Sequence, residues 1–467
     1  MTNMNFHDQI LSLVEVIEST LKSEIKKGTL QVAISLFDRW EVASLDYKDT
    51  GFHLSMRGTQ IKKPFTINTS IKIAEIVHKS PEYCNLIEFL KTNTHIEENP
   101  VNLVNYFIIQ TIEKYFENTA RFFENPNFFK SETDRFVEAL VADLKNESNK
   151  TRMIVEFYGI ILHEDEIKLS PEIILRKPIP EDFNTETISY TFFNQTDFPE
   201  PTAFLDISLQ AKCRQDLYNE ITKTIAVLQL FRPMSINWHI YQIHSESFNP
   251  CFERKDPPIE KHLVFENYIL EKEEVDDLKD FWKMVYPILP QNLNSSEENN
   301  FTFISNAYRF YSDSISQNGM FERKIASAVI GLDSIFLKTI NEDKKSKQLT
   351  LRISKLLKNE NFAPTTIKDV IGDAYFCRSK YLHGELLSNN DKERIAKKYG
   401  GNVNNLLKTI LEFLRISIVI LFHFQSGNKE KFLDMIDMFL KDENGSQRLI
   451  EFLKHVNVVS MRDKKIS

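Results

Sequence analysis

An arginine and a histidine close to each other in sequence are the residues of this chain best suited to chemistry. Arg378 and His383 lie five positions apart in the run YFCRSKYLHG, residues 375–384. An imidazole titrates near neutral pH and can act as a general acid or base. A guanidinium stays charged and can grip phosphate oxygens in a bidentate way. Such a pair can cleave a phosphodiester without a metal ion, and on RNA the 2′-hydroxyl would supply the nucleophile.

Helical geometry would separate these two side chains within one copy of the chain. Arg378 follows Ala374 by four residues, so we expect it to project from the apolar face of its helix, where a charge is costly unless it is paired. Gly384 is a suitable residue for ending the helix, which would leave His383 in the last turn. Five residues subtend about 140° on an ideal helix. Two copies meeting across a dimer interface would overcome this separation. The apolar face comprises Ile367, Val370, Ile371 and Ala374.

The same spacing is also compatible with a structural role. A histidine at a helix C-terminus interacts favourably with the negative end of the helix dipole, and an arginine beside it can tie helices together. The spacing alone does not decide between these two interpretations.

Composition excludes several classes of protein. Glycine is rare, at 12 of 467 residues, and neither GxGxxG nor GxxxxGK[ST] occurs, which argues against Rossmann and P-loop enzymes. The chain carries a net charge of −8, yet residues 321–400 contain 16 Lys/Arg and 10 Asp/Glu, a local charge of +6 against −14 for the remainder. This basic segment predicts a polyanion-binding surface, although a solvated helical surface would give the same composition.

The cysteines and the apolar segments predict a cytoplasmic protein without cofactor, metal or membrane partner. The longest apolar stretch, Ile416–Phe424, is too short for a membrane span and predicts a buried core helix. We expect no signal peptide, because the first apolar run, Ile10–Ile17, is broken by Glu15 and has no basic flank. The cysteines are too widely spaced for a zinc site or a disulfide framework; they are Cys84, Cys213, Cys251 and Cys377.

Hydrophobic periodicity predicts an α+β fold that is predominantly helical. Residues 1–149 are expected to be mainly helical with a short strand patch, and residues 150–290 to form an α/β sensing or regulatory domain. A polar linker at 291–300 would precede a bundle of four or five helices at 301–425. Residues 426–467 would form a helical tail.

The C-terminal bundle resembles a HEPN domain of the ApeA-like branch. The family pattern is an aliphatic helix with a central acidic residue, a helix containing arginine, and a close of the form aromatic-x-x-R-S-x-x-aliphatic-H-G. The chain has these three pieces in order, within a stretch (about 300–425) that is a quarter of its length. They are RKIASAVIGLDSIFL (Arg323–Leu337), LRISKLL (Leu351–Leu357) and YFCRSKYLHG (Tyr375–Gly384).

The resemblance implies a dimer that cleaves RNA without a metal ion. Arg378 would hold the scissile phosphate, and His383 would be the acid and base. Ser379 would hydrogen-bond the phosphate. Asp333 would orient Arg378 or His383, although the family more often has Glu there, with a longer reach.

Three further residues receive roles from the same resemblance. Lys380 and Tyr381 would bind RNA, the tyrosine by stacking on a base, unless it is a buried structural residue. Arg352 is expected to tie helices together rather than to touch RNA.

Two functions therefore remain open. The first is an endoribonuclease in bacterial anti-phage (abortive infection) defence, in which residues 1–290 sense a phage-derived trigger and restrain the nuclease. The alternative is a non-catalytic HEPN dimer that serves as an RNA-binding or scaffold module. RNA and a second copy of the chain are the expected partners in either case.

Overall fold

The computed structural model describes most of the chain. The predicted linker lies outside the described residues except for Leu293, as do Cys251 and residues 442–467. The described ranges are 6–27, 33–48, 51–65, 67–93, 100–117, 126–145, 148–183, 185–188, 201–245, 267–290, 293, 302–315, 320–338, 344–357, 362–423 and 429–441.

The fold is α+β and predominantly helical, as the hydrophobic periodicity predicts. The chain divides into two compact units that alternate along the sequence. The first unit comprises Met1–Phe157, Ser170–Leu217 and Trp238–Lys261. The second comprises Tyr158–Leu169, Tyr218–Asn237 and His262–Ser467. The domain boundaries expected from the sequence stay a prediction.

The N-terminal helices of the first unit pack around one apolar core. Leu13, Phe107 and Leu140 are fully buried in it, and they come from three different helices. Pro81, Pro100 and Pro126 each begin a helix, where the missing N–H of proline costs nothing. The helices are α1 (Phe6–Lys26), α2 (Ile67–Val77), α3 (Pro81–Asn93), α4 (Pro100–Glu117) and α5 (Pro126–Leu144).

A long antiparallel hairpin separates α1 from α2. Strands β1 (Ala33–Lys48) and β2 (Gly51–Phe65) pair over nearly their whole length, with a register shift between Val42 and Ser44. The sequence predicts a short strand patch here, and the strands are longer than that prediction; charged residues in both strands interrupt the apolar alternation on which the prediction depends. A short later strand, Thr185–Ile188, pairs with β1.

A second antiparallel sheet belongs mainly to the first unit. Its strand β3 (Asn149–Tyr158) ends at Gly159, whose φ of +98° suits glycine. The apolar run Met153–Leu162 predicts strand structure throughout, but a bend at Gly159 divides it into two strands. The sheet also contains β6 (Ile173–Arg176), β8 (Ala203–Ala211) and β9 (Asn237–Ser245), and β6, β8, β3 and β9 are neighbours in that order. Elsewhere along the sequence the described strands are β4 (Ile160–Leu162), β5 (Glu166–Lys168), β7 (Thr185–Ile188), which is the strand that pairs with β1, and β10 (Tyr268–Leu270).

The second unit is mainly a helical bundle. Strands β4 and β10 pair in parallel within it. None of the described helices has both the length and the apolar character needed to cross a membrane. The helices are most of α6 (Arg214–Phe231), then α7 (Val275–Val285), α8 (Phe303–Ile315), α9 (Phe321–Phe336), α10 (Lys345–Leu356), α11 (Pro364–Leu382), α12 (Asn389–Lys398), α13 (Asn404–His423) and α14 (Lys429–Lys441).

Helix α13 forms the centre of the bundle and confirms the predicted core helix. Its residues Phe413–Phe422 are all buried, including Arg415, which is 1% exposed. The Arg415 guanidinium donates to Glu412 Oε2 at 2.8 Å and to the carbonyl of Leu230 at 2.7 Å. A buried charge is tolerated when it is paired and hydrogen-bonded in this way.

Two buried tyrosines of α8 make further polar contacts with α6. Tyr308 donates to the side-chain oxygen of Gln229 at 2.7 Å, and Tyr311 donates to the backbone oxygen of the same residue at 2.6 Å. Residues 229 and 230 of α6 therefore bind both α8 and α13.

The bundle departs from the sequence-based expectation in two places. The sequence predicts that this part of the bundle becomes helical at Gln348, but helix α10 begins at Lys345, because the lysine-rich segment before Gln348 is helical too; lysine is a good helix former. Helix α12 was not predicted, since it buries little apolar surface. The sequence does contain one indication of where this helix begins, the capping box of Ser388 and Asp391. In it each side chain accepts a hydrogen bond from the other residue's backbone N–H.

We predict opposite effects for two glycine-to-alanine substitutions in the bundle. In Gly331→Ala the new Cβ would lie 2.7 Å from Leu414 Cδ2 and 3.3 Å from Phe310 Cβ. Leu414 is fully buried, so we expect a loss of about 1–3 kcal/mol of stability. In Gly372→Ala nothing lies within 4 Å, and we expect a gain of about 0.5–1 kcal/mol. Urea unfolding checks both; equal stability of the two variants would contradict the close helix packing at Gly331.

Candidate active site

The end of α11 has the geometry that the sequence predicts. Gly384 has a φ of +77°. Its N–H bonds to the carbonyl of Tyr381 at 3.0 Å, and the N–H of Glu385 bonds to the carbonyl of Lys380 at 2.9 Å. These two bonds form a Schellman motif, in which a glycine in the left-handed conformation ends the helix. His383 is thereby fixed as the C-cap residue of α11.

Arg378 is paired with a carboxylate on the neighbouring helix α9. Its Nη1 lies 3.2 Å from Asp333 Oδ2, and its guanidinium carbon lies 5.5 Å from the ring centre of Tyr375. The Tyr375 hydroxyl donates to the other oxygen, Asp333 Oδ1. The predicted contact between Asp333 and Arg378 is therefore present, and the shorter side chain of aspartate reaches far enough to make it.

Burial and nearby positive charges have opposite effects on the pKa of Asp333. Its side chain is 14% exposed, and burial raises the pKa of this carboxyl above its ordinary value. The hydrogen bond from Tyr375 and the charges of Arg378, Lys345 and Lys429 oppose that rise. Three cations thus surround one carboxylate, and the local charge is positive.

Arg378 keeps hydrogen-bonding capacity that its partners do not use. Its side chain is 22% exposed. Its Nε is buried and has no hydrogen-bond partner among the described residues. An unsatisfied buried donor is costly, and an incoming anion would reach the exposed part of this side chain, not its buried Nε.

His383 occupies a different position from Arg378. It is exposed, and no hydrogen bond or ion pair joins it to Arg378 or Asp333 within the described residues. The pKa of Glu385 lies below its ordinary value, chiefly because of the hydrogen bond and charge of Lys380 and to a smaller extent because of the nearby His383. The neighbouring Leu382 and Leu386 are both 57% exposed, so two apolar side chains lie at the surface close to His383 in sequence.

No hydrogen bond or ion pair joins the other predicted site residues to Asp333 within the described residues. Ser379 is exposed and precedes His383 by one helical turn. Lys380 pairs with Glu385, with Nζ 2.6 Å from Oε2, so this lysine is already engaged. Tyr381 is half-buried. These residues and Arg378 therefore form two groups on one helix.

Arg352 has the structural role that we predict for it. It is 3% exposed and forms two 2.9 Å bonds to the carboxylate of Asp437 on α14. It also donates to the carbonyl of Phe336 at the end of α9. The guanidinium thus ties three helices together.

Sequence reasoning missed Tyr375 and the lysines near Asp333. Tyr375 precedes Arg378 by three residues, a spacing that places both side chains on one helix face, and this signal could have identified it. Lys345 and Lys429 approach Asp333 from other helices, and their proximity has no signal in local spacing. The described residues contain no cluster of three His, Cys, Asp or Glu side chains arranged to hold a metal ion.

No protein-family model matches the chain, and no curated protein and no solved structure matches it either.

We predict that Tyr375→Phe raises the pKa of Asp333 further. The substitution removes a hydrogen bond that stabilises the ionised carboxylate and leaves the ring in place. Carboxyl-selective ¹³C NMR titration of Asp333 measures the change. Tyr381→Phe on the same helix is the control, because its hydroxyl has no hydrogen bond in the described structure. An unchanged titration of Asp333 in Tyr375→Phe would contradict the proposed balance.

Proposed function

We propose that this chain is a HEPN-type endoribonuclease that acts as a homodimer and needs no metal ion. The observation that carries the proposal is the end of α11. One helix presents an arginine that is held by Asp333 with donors unused, and a histidine that is exposed at the fixed C-cap. The resemblance of Arg323–Leu337, Leu351–Leu357 and Tyr375–Gly384 to the HEPN pattern supports the same function.

The chemistry would be an attack within the RNA strand. His383 accepts the proton of the 2′-hydroxyl, and the 2′-oxygen forms a bond to the adjacent phosphorus. The bond from phosphorus to the 5′-oxygen breaks, and that oxygen receives a proton from a protonated imidazole. Arg378 stabilises the charge on the phosphate oxygens in between. The products are a 2′,3′-cyclic phosphate and a free 5′-hydroxyl.

A dimer supplies what one copy lacks. The five-residue separation directs Arg378 towards α9 and leaves His383 at the surface, so one copy does not bring them together. A second copy would add a second histidine and a second arginine at the same phosphate. The exposed Leu382 and Leu386 beside His383 provide apolar surface for such a contact.

The decisive experiment is cleavage of RNA by the purified protein in EDTA. We predict that His383→Ala lowers the cleavage rate by about 10²–10⁴-fold, the typical contribution of a general acid or base. Products of the unmodified protein should carry 2′,3′-cyclic phosphate ends. His163→Ala is the matched control, because His163 is also partly exposed and pairs with Glu271 away from this helix end.

Three results would change the proposal. Cleavage that survives in His383→Ala would exclude this histidine from the chemistry. Cleavage that EDTA abolishes would contradict a metal-independent reaction. RNA binding without cleavage, both in buffer and in extract from phage-infected cells, would instead favour a non-catalytic scaffold, because such extract would also supply the expected phage-derived trigger.

We predict that the double variant Leu382→Glu/Leu386→Glu loses the dimer and cleavage together. Two carboxylates in an apolar contact would be desolvated without partners, which is strongly unfavourable. Sedimentation velocity measures the oligomeric state, and the EDTA assay measures cleavage. Met438→Glu is the control, since Met438 is 53% exposed on α14. A variant that is monomeric yet fully active would contradict the shared site.

A further inference from the structure

A basic cavity lies between the start of α10 and the side of α11. Its volume is about 920 Å³, within the range of about 300–1,000 Å³ typical of ligand sites. Four lysines line it, at the N-cap and first turn of α10 and on α11. Its lining residues are Lys344, Lys345, Ser346, Lys347, Thr350, Leu351, Lys368 and Tyr375.

The four lysines have no anionic partner that would explain their position. Within the described residues none of them forms an ion pair, although the charge of Lys345 acts on the carboxylate of Asp333. Four like charges around one cavity repel each other. The N-terminus of α10 adds the positive end of a helix dipole at the same place. The cavity is therefore suited to an anion.

Tyr375 connects this cavity to the candidate active site. It is one of the residues that line the cavity, and its hydroxyl donates to Asp333, the partner of Arg378. Its ring centre lies 5.5 Å from the guanidinium carbon of Arg378. A ligand that fills the cavity would therefore lie beside the arginine that is proposed to hold the scissile phosphate.

We propose that this cavity binds the phosphates of the RNA strand that neighbour the scissile one. The inference rests on the proposed function and adds the path of the substrate. Lysines act as mobile point charges and suit a backbone that passes along them. Tyr375 and Leu351 add apolar surface on which a base can pack.

A free nucleotide is a less suitable occupant. Sites for small molecules usually have a few precisely placed polar groups that fix the orientation of the ligand. Among the described residues, the non-lysine polar side chains that line this cavity are those of Ser346, Thr350 and Tyr375, and the tyrosine hydroxyl is already bonded to Asp333. A positively charged surface without side chains that recognise a particular base is typical of proteins that bind single-stranded nucleic acid of any sequence.

The test measures RNA affinity where no cleavage occurs. In the His383→Ala protein, we compare Lys347→Gln/Lys368→Gln with Lys397→Gln/Lys408→Gln, each in EDTA with a single-stranded RNA oligonucleotide. Both pairs remove two exposed lysines from bundle helices, and only the first pair lines the cavity. Losing two phosphate contacts lowers the slope of log affinity against log salt by about 1.4. The plots of log affinity against log salt for the parent and the variant converge near 1 M salt, so the affinity of the variant at 0.1 M salt should be about 25-fold lower.

The control pair should bind RNA as the parent protein does. Equal affinity of the two double variants would overturn the inference, as would a parent protein that does not bind RNA. Inorganic tripolyphosphate is the second probe. If it binds in a way that depends on Lys347 and Lys368 while RNA affinity does not, the cavity serves a free phosphorylated ligand and the inference is wrong. Cleavage is scored separately, so lysine-dependent binding without cleavage would refute the nuclease and leave this binding site standing.

Discussion

The candidate site depends on the burial of one carboxylate. Asp333 is mostly enclosed in the bundle, where an isolated charge would be unfavourable, and the cations around it make its ionised form tolerable. The converse also holds, because Arg378 can occupy an inward-facing position of α11 only while Asp333 balances it. Each charge is thus the condition for the other, and Tyr375 holds the carboxylate in the orientation that faces the arginine.

The two side chains of the proposed chemistry, Arg378 and His383, are held in position in different ways. Packing and an ion pair position Arg378, whereas backbone geometry positions His383 through the Schellman motif at Gly384. A cationic side chain held by an ion pair can also interact with an incoming anion. A side chain whose residue is fixed only at its backbone can still adopt several rotamers. This difference suits a division of labour between a phosphate-binding group and a proton-transfer group.

The sequence allows prediction where the signal is local. The helix end at Gly384, the inward position of Arg378 and the acidic partner at Asp333 all follow from spacing along one helix or from an ordered pattern. The cavity does not, because Lys344 and Lys368 meet only once α10 packs against α11. The full length of the β1–β2 hairpin does not follow from the sequence for another reason: its strands carry too many charged residues to show a continuous apolar alternation.

The contacts of Gln229 and Leu230 imply that the C-terminal bundle is not a portable module. Tyr308, Tyr311 and Arg415 all complete their hydrogen bonds on a segment encoded far upstream in the chain. Excising the bundle for transfer to another protein would leave two buried hydroxyls and a buried guanidinium without these acceptors. The bundle therefore has to be inherited together with α6. A gene fusion that separated the two would have to replace the acceptors of these hydrogen bonds.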